Sequence, residues 1–169
     1  MDAIDCIMTR RSVRKFKSEK ISEDKIKILL EAAMNAPSAV RSEDWEFIVI
    51  DERKTLDRIS ELNPYAKYAK EAPLAILVCG NLSKEKIKGF WQQNCAAAME
   101  NLLLAAHASG LGAVWTGVHP MENIESAYRN LLSLPDNIVP MSLAIIGVPD
   151  QRILKEDRFK KEKVHRNKW

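Results

Sequence analysis

Apolar residues recur along this chain with two periods, and the alternation between them outlines its elements. A short first helix over Ala3–Thr9 runs into a basic cluster, Arg10-Arg11-Ser12-Val13-Arg14. Ser22 is a good N-cap, and Glu23 and Asp24 suit the positive end of a following helix dipole. In that second helix Ile26, Leu29, Leu30, Ala33 and Met34 form a one-sided stripe at helical spacing, until Asn35-Ala36-Pro37-Ser38 stops it. Trp45–Ile50 reads as a strand, and the apolar run Leu74–Gly80 as a fully buried one with Pro73 just before it. Ala113–Val118 and Met141–Val148 read as two more strands, with helices at about Lys54–Leu62 and Met121–Leu132. Strands and helices in this order predict a central sheet with helices on both faces, of α+β or α/β class.

The longest helical segment, about Phe90 to Ser109, ends at the expected glycine, Gly110. After Glu100 it is apolar nearly all round, so it needs burial on several sides. The core of a dimer meets that need more readily than one small domain; the central helix of a monomer is the alternative. No internal repeat or Gly/Ser linker divides the chain, which reads as a single unit over 1–169 with residues 150–169 as a C-terminal arm.

Composition narrows the class. The chain has 169 residues, 46% hydrophobic and 29% charged, which fits a globular protein rather than a disordered one. No apolar run approaches the roughly 20 residues a bilayer requires. Asp2 and Asp5 precede the first basic residue and no apolar segment follows, so no signal peptide is read and a cytoplasmic location is expected. Cys6, Cys79 and Cys95 are widely spaced and form no metal or dithiol motif; they read as buried thiols. Between Arg152 and Lys168 eight basic residues face three acidic ones, which puts the chain's positive charge in its tail. Such a tail is read as a solvated end, as a nucleic-acid contact, or as an arm that lends cations to a bound anion.

Much chemistry is excluded. No nucleophile elbow, phosphate-binding G-x-x-x-x-G-K-[ST] or H-E-x-x-H occurs. Gly110-Leu111-Gly112 follows a helix rather than a strand and lacks the third glycine of a dinucleotide fingerprint. His107, His119 and His165 are far apart, with no partner evident in the sequence. What remains are three weak signals. Arg10-Arg11-Ser12-x-Arg14 packs three cations and a hydroxyl into five residues, a composition suited to a phosphate or to a solvated turn. Ala36-Pro37-Ser38 offers backbone groups and a hydroxyl at a helix end. The small residues of Gly110–Gly117 would let a flat ring approach the backbone, or simply make a tight turn.

In this order along the chain, those signals resemble the nitroreductase family of FMN-dependent oxidoreductases. The carriers are Arg10-Arg11-Ser12-Val13-Arg14-Lys15-Phe16, Ala36-Pro37-Ser38 through Trp45, Ala72-Pro73, Trp91 with Asn94, Ala98 and Asn101, Gly110–Gly117, Gly147-Val148-Pro149, and Glu156-Asp157-Arg158-Phe159 through Trp169. The resemblance implies an α+β nitroreductase-like fold, a mainly antiparallel sheet flanked by helices, in an intertwined homodimer. It implies FMN as cofactor, with NADH or NADPH as co-substrate and a nitroaromatic, quinone or flavin as acceptor in a ping-pong cycle, and no catalytic side chain beyond the flavin. By that likeness Arg10, Arg11, Ser12 and Arg14 grip the FMN phosphate and part of the ribityl chain and ring, and Arg158 joins the phosphate from the same subunit, with Lys155 beside it. Pro37, Ser38 and Ala39 reach the flavin from the partner subunit, Arg41 stands where an asparagine bonds the edge of the ring, and Trp115, Thr116 and Gly117 lie along the ring.

This chain departs from the family pattern in one stretch. Where similar members carry Asn-Ser-Gln-Pro-Trp, it has Arg41-Ser42-Glu43-Asp44-Trp45. Arg41 only donates hydrogen bonds and adds a charge, and Asp44 in place of proline predicts a less rigid loop. Two alternatives therefore stand beside the reductase: an FMN-binding protein with little turnover, and, as the poorer reading, a nucleic-acid-binding domain using the basic tail. The expected partners are a second copy of the chain and a small acceptor, not nucleic acid or membrane.

Overall fold

The computed structural model describes residues 1–152 and 156–169. Ten elements follow the chain: α1 (Ala3–Thr9), β1 (Phe16–Lys17), α2 (Glu23–Met34), β2 (Trp45–Ile50), α3 (Arg53–Leu62), β3 (Leu74–Asn81), α4 (Trp91–Ala108), β4 (Gly112–Gly117), α5 (Glu122–Leu132) and β5 (Ile138–Pro149). Short 3-10 turns lie at Ala39–Arg41, Lys67–Lys70 and Lys161–Lys163. The helix starts are capped as the side chains suggest. Asp2 accepts from the Asp5 N–H on α1, and Ser22 from the Lys25 N–H on α2. At the end of α4, Leu111 N–H reaches Ala106 O (2.8 Å) and Gly110 N–H reaches His107 O (3.1 Å). That is a Schellman motif, and it needs the positive φ of 75° that Gly110 adopts.

Every strand pairing in the sheet is antiparallel. β3 lies between β2 and β5, and β5 also carries β4 and, over its last two residues, β1. Period-two alternation divides the core between the two faces. Leu74, Ile76 and Val78 of β3, with Ala144 and Ile146 of β5, pack beneath α2 and α4. Their neighbours Ala75, Leu77, Cys79, Leu143 and Ile145 pack against Leu56 and Ile59 of α3 and Ile124 and Tyr128 of α5. This is the α+β architecture expected, with helices on both faces. Met99, Leu102 and Ala106 of α4 are fully buried between α2 and the sheet.

Cys6, Cys79 and Cys95 are buried free thiols, as read from the sequence. Burial pushes the Cys79 thiol up to about 12 and raises Cys6 and Cys95 as well. No described helix is long and apolar enough to cross a membrane.

Candidate functional site

The basic N-terminal segment is fixed in place by its apolar members. Val13 and Phe16 are buried. They lie where a side chain on Gly112 or Gly147, paired across β4 and β5, would collide with them: a Cβ on Gly112 would fall 2.7 Å from Val13 Cβ, and one on Gly147 would fall 2.8 Å from Phe16 Cδ1. Val13 N–H donates to Ala113 O (2.9 Å) at the edge of β4. Gln151, just past β5, accepts from the N–H groups of Arg14 (2.8 Å) and Lys15 (3.2 Å), while Asp150 N–H donates to Lys15 O (2.9 Å). The two ends of the chain are therefore laced together.

The lacing builds a polar groove of about 310 Å³ lined by Arg11, Ser12, Arg14, Gln151, Arg152, Glu156 and Arg158. Arg11 reaches across to the arm, its Nη2 donating to Glu156 O (3.1 Å), while its Nε is buried without a hydrogen bond. Arg158 holds Glu156 Oε2 with Nε (3.0 Å) and Nη2 (2.8 Å). That fork holds the Glu156 carboxyl below the usual carboxylate range. Four guanidinium groups around one carboxylate leave a surplus of planar, permanently charged donors, the chemistry that grips a phosphate. Of the residues read as phosphate ligands, Arg11, Ser12, Arg14 and Arg158 line this groove. Arg10 does not; its Nε pairs with Glu100 Oε1 on α4 (3.2 Å). Lys155 lies outside the described residues. Gln151 and Arg152 were not singled out as site residues from the sequence, although their place just after Gly147-Val148-Pro149 puts them at the end of a strand beside the N-terminal segment.

From the groove, β4 leads away along an open edge. Ala113 O faces outward to Val13, and Gly117 O faces outward to Asn63 Nδ2 (3.2 Å). In an antiparallel ladder the peptide groups of alternate residues face the same side, so those of Trp115 also point away from β5. Thr116 is turned inward, its hydroxyl donating to Leu143 O (3.1 Å). Between the occupied carbonyls of Ala113 and Gly117 the edge offers the main-chain donor and acceptor of Trp115 rather than side chains. Asn63, which pins the far end, also bonds Tyr128 Oη (3.4 Å), and burial pushes that phenol up to about 12.

Pro37, Ser38, Ala39 and Arg41 do not line the groove. Their loop enters β2, whose first residue pairs with Gly80 at the opposite end of the sheet. Val40, Arg41 and Glu43 all adopt positive φ (48°, 52° and 47°), a conformation that costs side-chain-bearing residues energy and persists only where the surroundings enforce it. Here they do. Asn94 on α4 accepts from Ala39 N–H (3.0 Å), Ser38 Oγ accepts from Glu43 N–H (3.2 Å), and Lys86 Nζ donates to Arg41 O (2.7 Å). Asp44 has no exposed surface, and its carboxylate accepts from Asn94 Nδ2 (3.0 and 3.1 Å) and Ser42 Oγ (3.0 Å). The expectation of a loosened loop is corrected: buried hydrogen bonds replace the proline ring.

The histidines also have partners that the sequence did not reveal. Thr9 gives its hydroxyl hydrogen to Asp5 O (2.6 Å), so His107 Nε2, 2.9 Å from the same oxygen, is the donor. Burial first, then Arg10 and Arg11, push the His107 pKa down. His119 Nδ1 lies 2.8 Å from Glu125 Oε1, and His165 stacks on Trp169 with ring centroids 4.4 Å apart.

A broad apolar surface remains uncovered. Ile4, Ile7 and Met8 of α1 and Met34 of α2 are all more than half exposed. They adjoin a groove of about 460 Å³ whose walls include Cys6, Ile7, Ala32, Leu104, Ala105 and Ala108.

Known proteins share this sequence and this fold. The sequence profile of the nitroreductase family matches residues 7–71 and 62–148. A Methanothermobacter thermautotrophicus protein, provisionally named an NADH dehydrogenase/NAD(P)H nitroreductase, is 45% identical over all of this chain and 88% of its own. A crystal structure from Parabacteroides distasonis carrying the same provisional name is 40% identical and superposes with a TM-score of 0.95 over 98% of each chain. A crystal structure from Desulfovibrio desulfuricans, provisionally a nitroreductase and in complex with FMN, is 27% identical with a TM-score of 0.86, covering 100% of this chain and 99% of that one. This chain belongs to the nitroreductase family.

Proposed function

We propose that the protein is an FMN-dependent oxidoreductase that passes electrons from NADH or NADPH to a small acceptor such as a nitroaromatic, quinone or flavin, and that it works as a homodimer. The observation that carries this reading is the meeting of Arg11, Ser12 and Arg14 with Arg158 in one groove at the head of an open strand edge. The residues present fit the cofactor. Guanidinium forks and the Ser12 hydroxyl suit its phosphate, and the outward peptide groups of Trp115 suit the polar edge of its ring. The Desulfovibrio desulfuricans relative crystallised with FMN supports the same cofactor here.

FMN, when bound, would supply the redox chemistry of a ping-pong transfer from nicotinamide to acceptor. The protein's task is positioning and electrostatics. Arg11, Arg14 and Arg158 would hold the phosphate, and the outward peptide groups of Trp115 on β4 would bond the polar edge of the ring. The loop of Ser38, Ala39 and Arg41, held rigid by Asn94, Asp44 and Lys86, closes over the partner's ring in the dimer. Arg10, engaged by Glu100, adds charge from a distance. No side chain need act as nucleophile or general base.

The test is an absorbance spectrum of the purified protein, with the released chromophore weighed, followed by anaerobic addition of NADH or NADPH and then an acceptor. A flavin spectrum that bleaches with nicotinamide and returns with menadione or a nitroaromatic is expected. A protein that neither carries nor takes up FMN overturns the reading. Tightly held FMN without turnover would instead favour a flavin-binding role, which Arg41 motivates through its added charge.

A further inference from the structure

The arginine groove contains an anion of its own. Glu156 Oε2 accepts both facing N–H groups of Arg158 (3.0 and 2.8 Å) and stands 3.9 Å from Arg11 Nε, while the Glu156 carbonyl takes a hydrogen bond from Arg11 Nη2 (3.1 Å). A guanidinium fork that has spent two parallel donors on a carboxylate cannot give the same two to a phosphate. Both side chains are largely exposed, 58% for Glu156 and 63% for Arg158, so the pair is weak and exchangeable rather than a fixed strut. The arm thus delivers a cation to the groove together with a carboxylate, two residues away, that already uses it.

We infer that Glu156 sets the affinity of the site by competing, as an internal anion, with the phosphate of the ligand for Arg158. A phosphate-bearing flavin enters by exchanging one charge-assisted pair for another, so its affinity is lower than four arginines would otherwise provide. The inference rests on the flavin reading above. It also distinguishes ligands by chemistry: riboflavin has the same ring but no phosphate, displaces nothing, and is indifferent to Glu156. The Arg158 hydrogen bonds that hold the Glu156 carboxyl below the usual range keep the competitor ionised at neutral pH.

The experiment titrates FMN and riboflavin, by quenching of flavin fluorescence, into the flavin-free full-length protein and its Glu156→Gln and Glu156→Ala variants. Both variants are expected to bind FMN about two- to five-fold more tightly, the scale on which exposed ion pairs act. Riboflavin binding should stay unchanged, and the FMN difference should narrow in about 0.5 M salt. FMN affinity that is unchanged or weaker in the variants would overturn the inference while leaving the flavin reading intact, and weaker binding would make Glu156 a strut for Arg158. Equal tightening toward riboflavin would overturn it too. Failure of wild type and variants alike to bind FMN would overturn the flavin reading, and this inference with it.

Discussion

Asp44 carries a carboxylate into a site with no exposed surface, where its hydrogen-bond partners among the described residues are the neutral side chains of Asn94 and Ser42. Burying such a group is costly unless its oxygens are satisfied; here three donor contacts satisfy them. Substituting Asp44 by Ala leaves the buried Ser42 hydroxyl without its acceptor and leaves the Asn94 amide with Ser42 Oγ (3.0 Å) as its remaining acceptor, a loss of about 1–3 kcal/mol. For a chain of 169 residues that corresponds to a fall in melting temperature of roughly 2–12 °C, measurable by circular dichroism. A shift below about 1 °C would show that the network contributes nothing. The local sequence gave the opposite impression of this loop. A missing proline suggests slack, whereas the compensating partner lies fifty residues downstream on another element. The histidines were opaque for the same reason: Thr9 lies 98 positions from His107. Short-range pattern carries residue type, and long-range partners follow only from the fold.

At the scale of elements the pattern was far more legible. Helical stripes and apolar runs located α2, α4, β2 and β3 to within a residue or two, because each buries one face or both in a continuous core. The misses have physical causes. β1 is two residues long and has no period to read. β5 begins at Ile138 rather than Met141, so Pro140 sits inside a strand. It is accommodated where the β3–β5 register shifts between Val78 and Cys79, the kind of irregularity that tolerates a missing donor. The small residues that end β4 were read as room for a ring; at its other end, the space beside Gly112 is filled by Val13. That packing joins the element to the site, since Val13 stands between the two residues, Ser12 and Arg14, that line the groove. Gly112→Ala should therefore push the N-terminal segment outward. Overpacking predicts a cost of about 1–3 kcal/mol in stability, and misplacing one charge-assisted contact predicts roughly ten-fold weaker FMN binding. Adding Val13→Ala to the same chain removes the two γ-methyl contacts but keeps Cβ at 2.7 Å, so it should recover only part of both. FMN affinity in Gly112→Ala equal to wild type would show that the glycine–valine contact does not position the groove.

For the whole molecule, the sequence disclosed that basic residues crowd both ends of the chain but not that the ends meet. Only the family resemblance put Arg158 beside Arg11 and Arg14, and the structure brings the three to one groove. The proposed dimer would draw on what that single chain leaves uncovered. Ile4, Ile7 and Met8 form an apolar face on α1 beside the groove along Leu104 and Ala105 of α4, and Phe159, Val164 and Trp169 of the arm are also exposed. A surface of this kind marks an interaction site, and a two-fold partner would bury each residue twice, once per subunit. Withholding Ile7 from such an interface costs about 1.5–3 kcal/mol per copy, before any penalty for charge. Ile7→Lys should thus raise the dimer dissociation constant by at least two orders of magnitude. Sedimentation equilibrium should find wild type at twice the 19.2 kDa of one chain and the variant shifted toward that monomer mass. Circular dichroism should remain unchanged, because Ile7 is 55% exposed on the single chain and its loss disturbs little within it. If the loop of Arg41 completes the site of a neighbouring subunit, the monomeric variant must also release FMN upon dilution. A wild-type monomer that retains FMN, or a monomeric Ile7→Lys that binds it as tightly as the dimer, would mean that each chain builds its flavin site alone.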